Sequence, residues 1–157
     1  MSILSAAKKL FSSAKKLKKS SARLRTFKGI DVPKFVVSDI DSTLWFKGNP
    51  LGPCRFAVYS MWKLSKKFPI IYLSGRENLP KGFTKFYPKG ILLLREKRHI
   101  PNFIWKRENL IKISKRGKIV LFFDNSGMII DKAKELGIPS IKITGTEIWE
   151  RFSQKFK

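Results

Sequence analysis

The sequence predicts an α/β domain built on a doubly wound, five-stranded parallel sheet. From residue 30 onward, five short apolar runs alternate with longer stretches of helical character, the pattern of a parallel sheet with helical connections. Because right-handed crossovers place helices on both faces of such a sheet, the strands should be buried on both sides. The chain has 157 residues, 43% of them hydrophobic, which is enough for one complete core and excludes a disordered protein.

The predicted elements follow one another in a regular order. The strands are apolar runs of the length expected for buried strands: residues 35–38, 70–73, 91–94, 119–123 and 140–143. Four stretches between and after them carry helical patterns: residues 55–67, 102–115, 127–136 and 147–156. The interval 77–89 contains Pro80 and Pro88, and it is therefore predicted to be a loop with at most a short helix.

Residues 1–29 form a basic segment that precedes the predicted domain, residues 30–157. The segment holds nine Lys or Arg residues and no acid, and Leu10, Leu17 and Leu24 recur at seven-residue intervals. A helix of this sequence would carry one narrow apolar stripe. The pattern is typical of a nucleic-acid-binding arm, of a helix lying on an anionic membrane surface and, less well because Lys exceeds Arg, of a mitochondrial transit peptide. It also fits a helix that simply docks on the domain.

The formal net charge of +23 predicts a polyanionic partner, either nucleic acid or an anionic membrane. Lys outnumbers Arg 25 to 9, which a codon bias would also produce. No apolar run approaches the ~18 residues of a membrane span. One cysteine, Cys54, excludes an internal disulfide and, with the single histidine His99, cannot make a zinc site. We therefore expect an intracellular, reducing compartment, with which a virion interior and the mitochondrial matrix are also compatible.

Polar side chains follow four of the predicted strands at the point where each strand ends. Because the carboxyl ends of parallel strands meet at one edge of the sheet, where such folds bind ligands, these side chains should face one site. In strand order they are Asp39 and Asp41, Ser74-Gly75-Arg76, Arg95 with Arg98 close behind, and Asp124-Asn125. Two neighbouring carboxylates repel each other, so the pattern predicts a cation beside them, and the arginines at the same edge predict an anionic substrate.

The arrangement suits phosphoryl transfer through a carboxylate. Asp39 could attack phosphorus and form an aspartyl-phosphate. Asp41 could protonate the leaving oxygen and later accept a proton from water. Mg²⁺, which prefers oxygen ligands, would offset the repulsion between carboxylate and phosphate, and Asp124 would complete its site. Ser74 and a lysine would hold the phosphoryl oxygens.

The four motifs resemble those of the haloacid dehalogenase superfamily, whose members are mostly Mg²⁺-dependent phosphatases. The resemblance covers about residues 33–145 and rests on Asp39-x-Asp41-x-Thr43 after a hydrophobic strand, then Ser74-Gly75-Arg76, a later lysine and Asp124. It implies a Rossmann-like sheet with the strand order 3-2-1-4-5. The runs YLSGRE and LLLREKR are also similar to the phosphatase domain of phage polynucleotide kinase-phosphatase, which implies a nucleic-acid 3′-phosphate as substrate.

The resemblance implies a role for each matching residue. The catalytic set is Asp39 as nucleophile, Asp41 as acid/base, Ser74 as the phosphate-binding hydroxyl and Lys106 as the third-motif lysine. Lys112 and Lys115 are alternatives to Lys106, whereas Lys118 begins the fourth strand, at the wrong end of the sheet. The substrate-binding set is Thr43, Arg76, Arg95 and Arg98, and the metal-binding set is Asp39, Asp41, Asp124 and Asn125.

Two features of this sequence bear on those expectations. Asn125 stands where the family usually has a second acid, and although an amide oxygen can bind a metal, it brings less charge. The intervals between the motifs are also too short for a folded cap domain, since only about thirty residues separate the first two. A capless site admits large substrates such as nucleic-acid ends, whereas small-metabolite enzymes usually need a lid.

The sequence therefore predicts a Mg²⁺-dependent phosphomonoester hydrolase acting on a nucleic-acid terminal (3′-) phosphate or on a nucleotide. An alternative of a different class is a basic interaction protein of a nucleoprotein particle, such as a virion or an organellar ribosome, with weak or lost catalysis. The net charge, residues 1–29 and Asn125 favour the alternative, while Asp39, Asp41 and Ser74 favour the enzyme. Trp45, beside the first motif, is the best candidate for an aromatic that faces substrate.

Overall fold

The computed structural model of this chain describes residues 32–47, 52–96 and 99–157. The described residues contain all five predicted strands and all four predicted helices. The predicted basic helical arm, residues 1–29, and the predicted substrate-binding residue Arg98 lie outside the described residues.

The described elements follow the order that the sequence predicts. They are β1 (Lys34–Ser38), β2 (Trp45–Phe46), β3 (Gly52–Pro53), α1 (Arg55–Ser65), β4 (Ile70–Ser74), α2 (Phe83–Phe86), β5 (Ile91–Leu94), α3 (Asn102–Ser114), β6 (Lys118–Asp124), α4 (Gly127–Glu135), β7 (Ser140–Lys142), α5 (Thr146–Ser153) and a 3₁₀ turn (Gln154–Phe156). The predicted boundaries agree within two residues, except that the last residues of the terminal helix form the 3₁₀ turn. The short helix α2 is the one allowed for in the interval 77–89.

Five strands form one parallel sheet in the order β5-β4-β1-β6-β7, which confirms the predicted 3-2-1-4-5 arrangement. β1 lies at the centre, where Val37 pairs with Ile71 of β4 and with Phe122 of β6. From β1 the chain adds β4 and β5 on one side of the sheet, and it then crosses over to add β6 and β7 on the other side. The carboxyl ends of β1 and β6 therefore flank the crevice in which folds of this kind bind ligands.

Both faces of the sheet are covered by helices, as predicted for a doubly wound domain. Successive residues of a strand point to opposite faces, and Val36 and Phe123 pack with α1 and α5 while Val37 and Phe122 pack with α3 and α4. If the pairing of a strand shifted by one residue, the side chains of its two faces would change places. The two apolar layers therefore fix the register of the central strands and the positions at which β1 and β6 end.

The stretch between β1 and α1 holds a small hairpin that the sequence analysis did not predict. Trp45 of β2 pairs with Pro53 of β3, and Phe46 pairs with Gly52, in antiparallel register. Strands of two residues are too short to leave a recognisable alternating pattern. Within the described residues nothing larger than this pair of strands is inserted between β1 and α1. None of the helices in this part of the chain has the length and apolarity needed to cross a membrane.

Candidate active site

Two buried carboxylates meet where the central strands end. Asp39 directly follows β1, and its backbone N–H donates to the carbonyl oxygen of Phe123 at 2.9 Å, which ties it to the neighbouring strand. Asp124 is the last residue of β6 and is fully buried, and Asp39 is 3% exposed. Because the register of β1 and β6 fixes both strand ends, the sheet itself holds the two acids side by side.

Lys106 joins the two carboxylates. It lies on α3, and its Nζ donates to Asp39 Oδ1 and to Asp124 Oδ2, each at 2.8 Å. Its ammonium group is buried with them, whereas Lys112 and Lys115, the alternatives for the third-motif lysine, are exposed. The structure therefore brings Lys106 to the acids.

Burial and the neighbouring charges shift the pKa values of Asp39 and Lys106 in opposite directions. Burial raises the pKa of Asp39, the attraction of Lys106 lowers it, and the net pKa lies at about 6 instead of 3.8. Burial by itself would lower the pKa of Lys106, but the attraction of Asp39 and Asp124 prevails and raises that pKa above its ordinary value. Near neutral pH, Asp39 is therefore ionised and Lys106 is protonated.

The loop after β1 holds the second oxygen of Asp39. Thr43 Oγ1 donates to Asp39 Oδ2 at 3.0 Å. The loop closes tightly because the backbone N–H groups of Thr43, Leu44 and Trp45 all donate to the carbonyl oxygen of Ile40, at 3.2, 2.8 and 2.9 Å. The tight turn leaves Ser42 with a φ of 56°, in the left-handed region, which glycine adopts more readily than other residues.

Two aromatic side chains support this loop from the core. Trp149 of α5 is fully buried, and its Nε1 donates to the carbonyl oxygen of Thr43 at 2.6 Å. The Tyr87 hydroxyl donates to the carbonyl oxygen of Leu44. The sequence alone gives neither Trp149 nor Tyr87 a role at this site, because no local pattern shows which distant backbone a buried hydroxyl or indole will reach.

Asn125 faces the two acids. The end of its amide group that points at them lies 3.0 Å from Asp39 Oδ2 and 3.3 Å from Asp124 Oδ1. With the nitrogen on that side, the amide donates to both carboxylates; with the oxygen on that side, three oxygens converge, as a divalent cation requires. We refer to Asp39, Lys106, Asp124 and Asn125 as the inner cluster.

The donor set fits Mg²⁺, with fewer charges than a three-carboxylate site. Oxygen ligands from Asp39, Asp124 and Asn125 are of the kind that this hard cation prefers. Across the described ranges, no three His, Cys, Asp or Glu side chains lie together as a metal-binding group, so the carboxylate of Asp41 does not join the two inner ones. Asp39, Asp124 and Asn125 would hold the ion, and the phosphate oxygens of a substrate would add the negative charge that a third carboxylate would otherwise bring.

Asp41 is held at the outer edge of the site. Its Oδ1 accepts a hydrogen bond from Arg76 Nη1 at 2.7 Å, in an ion pair whose side chains are both about one-third exposed. Arg76 also donates from Nε to the carbonyl oxygen of Asn78 at 2.9 Å, which fixes the guanidinium. We refer to Asp41 and Arg76 as the outer pair. Their charges meet at the rim, where water screens them.

The remaining predicted residues take different positions. Ser74 is fully buried at the end of β4, and its Oγ accepts the backbone N–H of Arg76 at 3.3 Å. Arg95 donates from Nη1 to the carbonyl oxygen of Ile100 at 3.0 Å, while its Nε is buried without a hydrogen-bond partner. Ser74 thus shapes the Ser-Gly-Arg turn, and Arg95 retains an unused donor.

The inner cluster and the outer pair share one open cavity of about 880 Å³. Three cations line it besides Lys106, namely Lys47, Arg76 and Arg95, and Phe103 and Ile129 supply apolar surface. A cavity of this size holds a nucleotide-sized ligand, and its cations favour an anionic one. Gly75 also lines it, where a Cβ would stand 2.5 Å from Asn102 Oδ1, so a larger residue there would require the Asn102 side chain to move.

No protein-family model matches the chain, and no curated protein matches it. Among solved structures, the chain is similar to a chain of the Pnkp1/Rnl/Hen1 RNA repair complex, at 22% identity and a TM-score of 0.57, over 71% of this chain and 42% of that one. A second structure, of the Pnkp1/Rnl/Hen1 complex, gives 21% identity, a TM-score of 0.59 and coverages of 71% and 45%. This chain spans less than half the length of each matched chain, and the likeness concerns the fold.

Proposed function

We propose that this protein is a Mg²⁺-dependent phosphomonoester hydrolase that acts through Asp39 on the terminal 3′-phosphate of a nucleic acid or on a nucleotide. The observation that carries the proposal is the inner cluster, in which one buried lysine bridges Asp39 and Asp124 at 2.8 Å each. A nucleophilic carboxylate must be ionised, fixed in orientation and open to substrate, and Asp39 meets these conditions at the end of β1.

In the first step, a carboxylate oxygen of Asp39 attacks phosphorus, and the bond between phosphorus and the leaving oxygen breaks with its electron pair on that oxygen. Asp41, which enters this step protonated, gives the leaving oxygen its proton and becomes the carboxylate that pairs with Arg76. Lys106 and Thr43 keep the Asp39 carboxylate in one orientation, and Lys106 offsets negative charge on the transferred phosphoryl group. Mg²⁺ held by Asp39, Asp124 and Asn125 would supply further positive charge at the phosphoryl oxygens.

In the second step, water attacks the phosphorus of the aspartyl-phosphate, and Asp41, now a carboxylate, accepts the proton. The bond between phosphorus and the Asp39 oxygen breaks, inorganic phosphate leaves, and Asp39 is a carboxylate again. Arg76 acts as a positioning residue, because its ion pair with Asp41 holds the acid/base at the rim, where leaving oxygen and water arrive.

The cavity and the charge favour nucleic acid over a small metabolite as the carrier of the phosphate. The cavity opens to solvent beside Lys47, Arg76 and Arg95, so a long substrate can enter with its end on Asp39. The net charge of +23 attracts polyanions. The two similar solved structures described above are of the Pnkp1/Rnl/Hen1 complex, an RNA repair complex, which supports nucleic acid as the substrate class.

The proposal is tested by phosphate release from three substrates: an oligonucleotide with a 3′-phosphate, the same oligonucleotide with a 5′-phosphate, and a 3′-mononucleotide. We expect release from the 3′-phosphorylated oligonucleotide with Mg²⁺, none with a chelator, and none from Asp39→Asn. Asp131→Asn, which removes an exposed acid from α4, is the matched control and should react like the wild type. Absence of Mg²⁺-dependent release from all three substrates would overturn the proposal.

A second candidate function is favoured by Asn125. With an amide in place of an acid, the inner cluster holds two carboxylates and one buried cation, a balance that leaves little net charge to attract a metal. A basic interaction protein of a nucleoprotein particle would keep the fold and bind nucleic acid without turnover. Oligonucleotide binding together with no phosphate release, in both the wild type and Asn125→Asp, is the result that would favour this candidate.

A further inference from the structure

Three large aromatic side chains lie exposed together on the side of the domain formed by α1 and α2. Trp62 is 48% exposed, Phe86 44% and Tyr59 38%. Trp62 Nε1 donates to the carbonyl oxygen of Phe86 at 2.7 Å, and Tyr59 lies one turn before Trp62 on α1. We refer to Tyr59, Trp62 and Phe86 as the aromatic strip. The other large hydrophobic residues exposed in the described ranges are aliphatic: Val32, Ile104, Met128 and Leu136.

Packing of the core does not explain the exposure of the aromatic strip, although the Tyr59 ring also meets that of Phe156 edge-on, at 6.4 Å between centroids. The buried side of α1 includes Ala57, Met61 and Leu64, which pack under the sheet. The exposed positions repeat along the other side at intervals of four, three and four residues: Arg55, Tyr59, Trp62 and Lys66. Solvent-facing helix positions are usually charged or polar, so two aromatic rings between two cations call for another reason.

The strip leads to the mouth of the cavity. The ring of Trp45 lies 6.2 Å from that of Phe86 between centroids, and Trp45 begins β2, two residues after Thr43. Lys47, two residues further, lines the cavity. The Phe86 ring therefore connects the aromatic strip, through Trp45, to the rim of the candidate active site.

The sequence that forms the strip is strongly basic. From Ser42 through Arg95 it contains ten Lys or Arg residues, and Glu77 is the single acid. Lys63 Nζ lies 5.4 Å from the centroid of the Tyr59 ring, and Lys85, beside Phe86, is exposed. Cations next to exposed rings attract a polyanion and repel basic partners.

We propose that the aromatic strip binds a single-stranded segment of nucleic acid whose phosphorylated end lies in the cavity. Bases of any sequence stack on exposed rings while cations contact the phosphates, which is the recognised combination for single strands. A duplex hides the faces of its bases and cannot use the rings. The proposal rests on the proposed function for the position of the strand's end, but binding by the strip does not depend on turnover.

The test uses the full chain and a single-stranded oligonucleotide of about 12 nucleotides without a terminal phosphate. Trp62→Ser and Tyr59→Ser should each weaken binding about tenfold, the expected loss of one stacked base. Leu136→Ser, which removes a similarly exposed aliphatic side chain from the end of α4, is the matched control and should bind like the wild type. For a duplex of the same length, all three variants should match the wild type.

Two further variants separate stacking from charge and from folding. Trp62→Phe keeps a ring but loses the hydrogen bond to Phe86, so it should recover most of the affinity that Trp62→Ser loses. Lys63→Gln removes a cation, and it should reduce the slope of log affinity against log salt by about 0.7, whereas Trp62→Ser should leave that slope unchanged. A purely structural role of Trp62 predicts that Trp62→Phe fails like Trp62→Ser.

The outcomes distinguish this proposal from the proposed function. Asp39→Asn should bind the single strand like the wild type, so loss of turnover with intact binding would leave the strip proposal standing. Equal single-strand affinity of the wild type, Trp62→Ser and Tyr59→Ser would overturn it. Weaker binding of these variants to vesicles containing anionic lipid, with oligonucleotide binding unchanged, would also overturn it and assign the strip to a membrane surface.

Discussion

The inner cluster and the outer pair each contain one acid of the first motif, and they differ in what surrounds it. Asp39 is buried, and both of its oxygens are held, by Lys106 and by Thr43. Asp41, two residues on, is 37% exposed at its side chain and paired with Arg76 at the rim. The loss of hydration dominates the energetics of Asp39, whereas water screens the charge of Asp41. Changes to the inner cluster should therefore affect stability and turnover together, whereas changes to the outer pair should affect turnover alone.

The largest effect is expected from Lys106→Met. It leaves Asp39 and Asp124 buried side by side without their shared cation, and removing one partner from a buried ion pair typically costs about 3–5 kcal/mol. The loss should be full at pH 8 and smaller at pH 5, because protonation of a carboxylate relieves the repulsion. Urea unfolding at the two pH values measures it, with Lys112→Met, an exposed lysine of the same helix, as control. If Lys106→Met is as stable as the wild type at pH 8, the ion pairs of Lys106 do not stabilise the fold by this amount.

The raised pKa of Asp39 predicts a pH dependence of stability in the metal-free protein. The folded chain keeps a proton on Asp39 up to about pH 6, while the unfolded chain releases it near the ordinary value of 3.8. The free energy of unfolding should therefore fall as pH rises through this window, by an amount on the order of 3 kcal/mol. Asp39→Asn should show a flatter profile there, and Glu135→Gln, an exposed control, should follow the wild type. If the free energies of unfolding of all three proteins change with pH in parallel, the pKa of Asp39 is not raised as described.

Asn125→Asp adds a third carboxylate to the inner cluster and should have an intermediate effect. Without metal the extra charge should lower the free energy of unfolding, and added Mg²⁺ should restore more stability than it gives the wild type, because binding to the folded state stabilises it. The Mg²⁺ concentration for half-maximal phosphate release should also fall. Thermal unfolding over a Mg²⁺ series measures the first effect without relying on activity. If both proteins respond equally to Mg²⁺, position 125 does not tune the metal.

Arg76→Gln should have the smallest effect on stability. The outer pair is about one-third exposed, and ion pairs in such positions contribute about 0–1 kcal/mol. The steady-state rate of phosphate release should nevertheless fall, since Asp41 loses the group that holds it at the rim. Lys132→Gln, which breaks the exposed pair with Glu135, should change neither property. A destabilisation by Arg76→Gln as large as that by Lys106→Met would remove the distinction between the two environments.

The sequence predicts the fold nearly completely because each element leaves a local pattern. Buried parallel strands appear as apolar runs, and β1 and β6 both end in polar residues that mark the edge of the sheet. The hairpin β2–β3 left no such pattern because its strands have two residues each. The basic segment 1–29 remains a prediction, as it lies outside the described residues.

The candidate site was predicted in its members and only partly in its geometry. Strand ends identify Asp39 and Asp124 as neighbours, and the resemblance to the third motif pointed to Lys106, with Lys112 and Lys115 as alternatives. The separation of Asp41 from the inner cluster depends on the direction of one side chain and on Arg76, which lies 35 residues away. The bracing of the loop by Trp149 and Tyr87 likewise depends on long-range packing, which a single sequence does not encode locally.

The central claim is that Asp39 carries the phosphoryl group, and trapping that intermediate tests it most directly. Asp41→Asn should form the aspartyl-phosphate from an activated phosphate ester but hydrolyse it slowly, since the acid/base for the second step is missing. Reacted with radiolabelled ester and Mg²⁺, Asp41→Asn should retain label that hydroxylamine releases and that peptide mapping assigns to Asp39, while Asp39→Asn retains none. Turnover by Asp39→Asn at the wild-type rate, or label on another residue, would contradict the account.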